Sequence, residues 1–295
     1  MKLGIWIGSV QEDYTEGRIA IDDTLGAMSV ALFKVSDGLN EWYTPEDAAI
    51  WANDVYRPQG IDFMPHGNGR GFSLDEARQE GVNAGRHAAA CGSEFILDLE
   101  PDPQYYWQGI LGTPRAFCEG YASTSGGRKL RLNPDARNPG INLEEWAQEP
   151  IVGVWHPQMY AATFGESQES WERRGIQPIL DLGVPKSLIY PMLSNYMNAP
   201  GDPSMPPDVL EESIRYYAER GYGGVCLFRR KTMDGKQVER LLAMPDLWAV
   251  TPPPPPPIAP MLNIRLEPVG APTVHFTDDP AIREQRQLVR IVVDQ

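Results

Sequence analysis

From its start to about residue 250, the chain alternates short apolar segments with amphipathic segments that carry helix start signals. A buried strand followed by a capped helix is the repeating unit of a parallel sheet with crossover helices. Eight such units are present, with strands expected at residues 3–7, 31–35, 61–65, 95–100, 130–133, 152–160, 188–193 and 224–228. Eight strand–helix units in about 250 residues predict an α/β fold of the (β/α)8 TIM-barrel type.

Helix start signals support this reading. Thr44, Ser73 and Asn142 each stand where an N-cap side chain would precede acids in the first helical turn. Further helices are expected at residues 115–122, 170–174, 207–220 and 235–243. No glycine-rich dinucleotide motif and no P-loop motif occurs, so the nucleotide-binding α/β folds lose their main support.

The character of the sequence changes after Val250. Six consecutive prolines, residues 252–257, predict a stiff polyproline II spacer, and three strand-like segments follow at residues 261–267, 273–276 and 288–293. About 35 residues rarely bury enough apolar surface to be stable alone, so this tail needs a surface to dock on. We expect a barrel at 1–250, a polyproline linker at 251–260 and a small β-rich C-terminal tail at 261–295, docked on the barrel or on another chain.

Composition excludes several classes of function. The net charge of −14 disfavours nucleic acid or an anionic membrane as the main partner. The first apolar segment turns polar at Gln11 and no run of about 18 apolar residues exists, so we expect no signal peptide, no membrane insertion and a chain that is cytoplasmic as synthesised. The three cysteines and four histidines show no metal-ligand spacing, which predicts buried thiols, no metal and no other cofactor.

The fourth predicted strand ends in two carboxylic acids. Asp98 and Glu100 share one face of this strand with Ile96, and Pro101, which cannot donate to a sheet ladder, follows them. The acids therefore stand at the carboxyl end of the strand, where α/β barrels carry their chemistry. Two neighbouring acids raise each other's proton affinity, as glycoside hydrolysis requires. We predict Glu100 as general acid and Asp98 as its partner; the alternative is an exposed strand end that caps the following turn.

Further ligand-binding candidates come from other strands and from the loop after the acids. Strand alternation predicts that four polar side chains face the acids, namely Lys34, His66, Gln158 and Tyr160. Aromatic rings beside carboxylates suit a carbohydrate ligand, because sugar rings present apolar C–H faces. The aromatic candidates are Tyr105, Tyr106 and Trp107, with Trp6 as a weaker one. The alternative is that these rings cover the barrel rim or form a protein interface, which aromatic residues also favour.

Three segments resemble the (β/α)8 lysozymes of glycoside hydrolase family 25. Residues 32–38 resemble that family's second strand, residues 64–67 its third, and residues 97–100 its D-x-E strand. The chain is also similar, more distantly, to the chitinase-like family 18. The family 25 resemblance implies a muramidase-type cleavage of cell-wall glycan, with Glu100 as the catalytic acid and Asp98 as its partner.

The chain departs from both family patterns. Family 25 places an aspartate on the first strand, where this chain has no acid until Glu12. Family 18 places acids at the positions of Ser93, Ile96 and Ala161. Two alternatives follow from these departures: the chain is an active enzyme of an unfamiliar branch, or it has kept the barrel fold and lost the activity.

Two other functions compete with glycan hydrolysis. The first is a structural or receptor-binding component of a phage tail, virion or other large assembly, which would carry a catalytically degenerate hydrolase-like barrel and dock or self-assemble through residues 251–295. The second is a metabolic enzyme acting on a small anion, which Arg229, Arg230 and Lys231 could hold, although the glycine-rich loop usual there is absent. The leading prediction remains a glycosidase-like barrel that binds and hydrolyses a polysaccharide or a peptidoglycan glycan strand.

Overall fold

The computed structural model describes side chains and backbone over most of the chain, and the backbone alone of two C-terminal strands. The described ranges are residues 2–7, 29–101, 107–197, 204–228 and 233–244, with strands at 264–268 and 289–293. The chain divides into two compact units, Met1–Ala249 and Val250–Gln295. Within the described part, no helix is long and apolar enough to cross a membrane.

The first unit is built on a curled sheet of mainly parallel strands. In chain order these are β1 (Lys2–Ile7), β2 (Val30–Asp37), β3 (Asn40–Glu41), β4 (Asp62–Asn68), β5 (Phe95–Leu99), β6 (Leu130–Pro134), β7 (Val152–Trp155), β8 (Gln158–Met159), β9 (Met192–Ser194) and β10 (Gly224–Phe228). Their order in the sheet is β7-β6-β5-β4-β2-β1-β10-β9-β8, and the short β3 pairs antiparallel with β2. The predicted parallel α/β sheet is thus confirmed, but the segment expected as one strand at 152–160 forms two, β7 and β8.

Helices alternate with the strands. They are α1 (Pro45–Ile50), α2 (Leu74–Cys91), α3 (Thr113–Thr124), α4 (Leu143–Gln148), α5 (Gln168–Trp171), α6 (Gln177–Asp181), α7 (Pro207–Glu219) and α8 (Gly235–Leu242). Each predicted helical segment overlaps one of them. Short π-helical turns at Trp51–Tyr56 and Glu172–Ile176 continue α1 and α5. Single 3-10 turns lie at Arg57–Gln59, Pro139–Ile141, Ala162–Phe164 and Lys186–Leu188.

Two of the three predicted helix caps are confirmed. Thr44 Oγ1 accepts from the backbone N–H of Asp47 at 3.1 Å, and Ser73 Oγ accepts from Glu76 at 3.1 Å. The predicted cap at Asn142 is wrong. Asn142 has a left-handed backbone with φ of 57°, and its Nδ2 donates to the carbonyl of Gly109 at 3.0 Å instead. An asparagine adopts a left-handed backbone more readily than most residues do. Its side chain here connects the loop before α4 to the loop that contains Gly109.

Side-chain alternation sorts the apolar residues of the sheet into two layers. Phe95, Leu97 and Leu99 belong to a large outer cluster, which also takes in residues of the helices. Ile96 belongs to a smaller inner cluster with other strand residues, Trp6, Val30, Leu32, Met64, Met192 and Cys226. The face predicted for Ile96 is therefore the inner one, and Asp98 follows it two residues later on that face.

Glu80 on α2 holds the loop that follows β4. Its Oε2 accepts from the backbone N–H groups of Arg70 and Gly71 at 3.1 and 3.3 Å, and the side chain is buried. Burial raises the pKa of Glu80 from its ordinary value of 4.5 to about 7, against the smaller lowering effect of the two backbone hydrogen bonds. Since this loop begins directly after Asn68, Glu80 supports the edge of the sheet where the acids stand.

The raised pKa of Glu80 predicts a pH-dependent stability. The folded state holds this proton up to about pH 7 and the unfolded chain only to 4.5, so stability is lost as the pH rises through that interval. The contribution of this one group is about 3 kcal/mol, at 1.36 kcal/mol per pKa unit. Glu80→Gln, which keeps a carbonyl acceptor, should unfold at higher urea concentration than the wild type at pH 8 and equally at pH 4.5. A variant less stable than the wild type at pH 8 would contradict this assignment.

In the second unit, β11 (Ile264–Pro268) and β12 (Val289–Val293) pair antiparallel. These two strands overlap two of the three segments expected in the tail. The third segment, residues 273–276, and the proline run at 252–257 lie outside the described residues. The linker, the boundaries of the tail and its docking surface therefore stay predictions.

Candidate active site

The two acids stand at the carboxyl edge of the parallel sheet. Asp98 is near the end of β5 and is buried, with 6% of its surface exposed, whereas Glu100 follows the strand and is half-buried. In the sheet, Asp98 pairs with Asn68 of β4 on one side and with Asn133 of β6 on the other. A carboxyl flanked by two amide side chains thus forms one level of the sheet.

A single amide group joins the two acids. Gln158 Nε2 donates to Asp98 Oδ1 at 3.2 Å and to Glu100 Oε1 at 3.0 Å. Asn68 Nδ2 donates to the other oxygen of Asp98, Oδ2, at 3.2 Å. Both carboxyl oxygens of Asp98 are therefore bound by side chains of other strands. The alternative in which Asp98 merely caps the following turn does not fit these contacts.

Burial and charge shift the protonation of this cluster. The pKa of Asp98 lies well above its ordinary value, chiefly because the carboxyl is buried and secondly because Glu100 is close by. Lys34 and the two amide hydrogen bonds act in the opposite direction. Burial, Glu100 and Asp98 also raise the pKa of the Tyr160 hydroxyl, which stays neutral. The Asp98 carboxyl can therefore carry a proton in the free protein.

The structure brings most of the candidates from the strands to this edge. Lys34 is half-buried, its charge acts on Asp98, and its Nζ lies 4.6 Å from the ring centre of Trp42. Gln158 and Tyr160 also reach the acids. Two further candidates stand one level deeper. His66 pairs with Ile96 in the sheet, and its buried ring lies 3.5 Å, centre to centre, from the buried ring of Trp6.

The aromatic candidates in the loop after the acids are not brought to the acid pair by the part of the chain that the structure describes. Trp107 is buried, with 2% exposed, and packs against Trp146 at 5.2 Å between ring centres. The indole also lies against Gly71, where an added Cβ would come within 2.8 Å of the ring. Trp107 is thus a core residue without a ring face open to a sugar. Tyr105 and Tyr106 lie outside the described residues.

Several residues of the site escaped the sequence analysis. Asn68 was missed because the third strand was expected to end at residue 65, although the alternation of 64, 66 and 68 places it on the inner face. An aromatic wall was missed as well. Phe228 stacks on Tyr160 at 5.9 Å and meets Tyr196 edge-on at 6.2 Å. Phe228 ends β10, and its inward direction follows from the same alternation, since Cys226 belongs to the inner cluster.

Metal ligation has little support in this part of the chain. Over the described ranges, no group of three or more His, Cys, Asp or Glu side chains is arranged to hold a metal ion. Cys91, Cys118 and Cys226 are free thiols and are buried. Burial raises the pKa of Cys226 to about 12, so this thiol stays protonated and unreactive at neutral pH.

Comparison with known proteins gives no sequence match but many matches in structure. No family model and no curated protein matches the chain. A fungal endo-β-N-acetylglucosaminidase of glycosyl hydrolase family 18 aligns with a TM-score of 0.57 and 15% identity, covering 82% of this chain and 95% of that chain. A Cycas revoluta family 18 chitinase, solved in complex with allosamidin, gives 0.56 and 10% identity, covering 84% and 100%. A tamarind chitinase-like lectin gives 0.54 and 12% identity, covering 81% and 98%.

These similarities concern the fold, since every identity is 15% or lower. They support the more distant of the two resemblances found in the sequence, the one to the chitinase-like family 18. The family 25 resemblance is not shown by them. Over more than four fifths of its length, the chain has the TIM-barrel-like α/β fold of family 18 chitinases and chitinase-like lectins.

Proposed function

We propose that the first unit is a closed (β/α)8 barrel that binds and hydrolyses a glycan containing N-acetylglucosamine, as in chitin or the peptidoglycan strand. Closure is supported by the segment between β7 and β8, the two ends of the strand order. On one side, the backbone N–H of Tyr190, just before β9, donates to the carbonyl of Trp155 at 2.7 Å. The backbone N–H of Met192, the first residue of β9, donates to the carbonyl of Pro157 at 2.9 Å. On the other side, His156 N–H donates to the carbonyl of Leu132 in β6 at 2.6 Å.

The observation that carries the proposal is the Gln158 amide shared by Asp98 and Glu100. Once a glycan is bound, we assign the proton of the pair to Glu100, the more exposed acid, which donates it to the leaving glycosidic oxygen. Asp98, with a hydrogen bond on each carboxyl oxygen, supplies the fixed partner that stabilises positive charge at the sugar carbon or orients an internal nucleophile such as the acetamido carbonyl. Tyr160 and Phe228 offer an aromatic wall beside the acids.

The family 18 structures favour N-acetylglucosamine as the sugar, because two of them are named as an endo-β-N-acetylglucosaminidase and a chitinase. The direct test is incubation of the full chain with N-acetylglucosamine oligomers and with peptidoglycan, with the products identified by mass spectrometry. Shortened oligomers from either substrate support hydrolysis. Intact substrates after prolonged incubation, together with no detectable binding, would exclude the proposed function.

A second candidate is glycan binding without hydrolysis. Ile96 occupies a position where family 18 places an acid, and one of the similar structures is named as a lectin. Calorimetric titration with the same oligomers separates the two candidates. Binding with a defined stoichiometry and no cleavage product would assign a lectin-like role, whereas binding followed by cleavage would assign a hydrolase.

The shared amide leads to a further prediction. Gln158→Leu keeps the size of the side chain but removes the donor to both acids, which leaves a partly buried acid pair without its bridge. We expect the rate of glycan hydrolysis to fall by about tenfold or more, because the loss of one hydrogen bond to a charged group is worth at least about 1.5 kcal/mol. The measurement is kcat/KM on an N-acetylglucosamine oligomer, with Gln148→Leu on the exposed face of α4 as the control. Equal rates in both variants would remove Gln158 from the site.

A further inference from the structure

Asn68 ends β4 beside Asp98 and has an unusual hydrogen-bonding state. Its Nδ2 donates to Asp98 Oδ2 at 3.2 Å. Its Oδ1 is equally buried, and no described residue donates a hydrogen bond to it. A buried acceptor without a donor is rare in folded proteins and is destabilising. The backbone here is fixed, since the Asn68 carbonyl accepts from Gly38 at 2.9 Å and Gly69 donates to the Asp98 carbonyl at 3.0 Å.

The surroundings of Asp98 suit its ionised form better than its protonated form. Each of its oxygens receives an amide N–H, one from Gln158 and one from Asn68, and these donors cannot accept the hydrogen of a carboxylic acid. Below Asp98 on the same face stands Ile96, in the apolar inner cluster. Burial, however, favours the protonated form. The protonated carboxyl therefore needs an acceptor in place of one of its donors.

Rotation of the Asn68 amide by 180° supplies that acceptor. The rotation exchanges Nδ2 and Oδ1, which places the carbonyl oxygen beside Asp98 Oδ2. Apart from the bond to Asp98 itself, no hydrogen bond of the Asn68 side chain to a described residue is broken, because Oδ1 has none. Asn68 can thus donate to the carboxylate in one orientation and accept from the carboxylic acid in the other.

We propose that Asn68 is a positioning residue that holds Asp98 in the same place in both of its protonation states by reversing its side-chain amide. The proton that titrates comes from solvent, and it occupies Asp98 Oδ2 when the Asn68 carbonyl faces that oxygen. The role in catalysis rests on the proposed function, in which Asp98 must stay aligned while the charge of the acid pair changes. The exchange of hydrogen bonds itself requires no substrate.

Other charged and titratable groups also face Asp98. Glu100 follows the same strand, Lys34 projects from β2, and Tyr160 follows β8. Tyr196 and Asp135 in turn interact electrostatically with Tyr160 and raise the pKa of its hydroxyl. Because these groups are unchanged in a substitution at position 68, a change in Asp98 titration in such a variant reports on the Asn68 amide.

Neutron diffraction from deuterium-exchanged crystals tests the proposal directly, at one pH above and one below the midpoint of Asp98 titration. Above the midpoint, we expect two deuterium atoms on the Asn68 nitrogen, one of them facing Asp98 Oδ2. Below it, we expect deuterium on Asp98 Oδ2 and the Asn68 oxygen facing it. The same Asn68 orientation at both pH values, or no deuterium on Asp98 Oδ2 below the midpoint, overturns the proposal.

A solution experiment gives an independent readout. Asn68→Leu has nearly the same shape and can neither donate nor accept, so it removes the hydrogen bond to both protonation states of Asp98. The titration midpoint of the Asp98 carboxyl carbon, followed by NMR, should therefore change by less than about half a pH unit. Asn133→Leu is the matched control, because Asn133 is buried in the adjacent strand and donates to the His156 carbonyl instead. A midpoint raised by about one pH unit or more in Asn68→Leu, which is the result of losing a donor that serves the carboxylate alone, overturns the proposal. Neither experiment measures hydrolysis, so an inactive wild type would refute the proposed function and leave this result standing.

Discussion

Glu100→Gln is expected to lower the rate of glycan hydrolysis by about 10²–10⁴-fold, the usual contribution of a general acid. Glutamine has the size of glutamate and its oxygen can still accept from Gln158, so the fold and the bridge to Asp98 should remain. It has no proton to give to the leaving oxygen, so kcat should fall while the dissociation constant of an N-acetylglucosamine oligomer changes little.

The matched control for this variant is Glu144→Gln, which removes an exposed glutamate on α4. It should hydrolyse the oligomer at the wild-type rate. Circular dichroism and thermal unfolding of both variants verify that they fold. If Glu100→Gln retained activity within a few-fold of the wild type, Glu100 would not be the acid.

Asp98→Asn is expected to lower kcat by about a hundredfold or more, as the loss of a preorganised electrostatic group in an active site does. Asparagine keeps the shape of the side chain but cannot become the negatively charged partner that the reaction needs, whereas the Asn68 amide can reverse to accept from the new N–H. The partner of the acid is then permanently neutral, while the sugar-binding surface is unchanged.

Asp62→Asn is the control for this second variant, because Asp62 is exposed at the opposite end of the neighbouring strand β4. Steady-state kinetics should show a normal kcat for Asp62→Asn and a low kcat with little change in KM for Asp98→Asn. A wild-type kcat in Asp98→Asn would show that the reaction needs no carboxylate at this position.

Much of the framework of the site could be predicted from the sequence, because the period of two along a strand is fixed by backbone geometry. Once β5 was recognised, Ile96 and Asp98 had to share a face, and the structure places both on the inner side. The same rule predicted that Gln158, which lies 60 positions after Asp98 in the sequence, faces the acids, and the two side chains share a hydrogen bond.

The misses concern contacts that no local pattern encodes. Trp107 is in the core because Gly71 leaves room for its ring and Trp146 lies on its other side, and both are distant in sequence. Asn142 follows the composition rule for a helix cap, yet its side chain bonds the carbonyl of Gly109 in another loop. Asn68 was missed for a different reason. The apolar residues of this segment predicted a strand that ends at residue 65, whereas β4 continues to Asn68. Tertiary packing decides such cases.

The central claim is that the Asp98–Glu100 pair is the place where a glycan binds. The most direct measurement is a crystal structure of Glu100→Gln soaked with an N-acetylglucosamine oligomer, since slow turnover preserves the ligand. The account predicts a glycosidic oxygen within hydrogen-bond distance of the side chain at position 100, with a sugar ring against Tyr160 or Phe228. An oligomer bound elsewhere on the chain, with this edge of the sheet empty at saturating ligand, would contradict it.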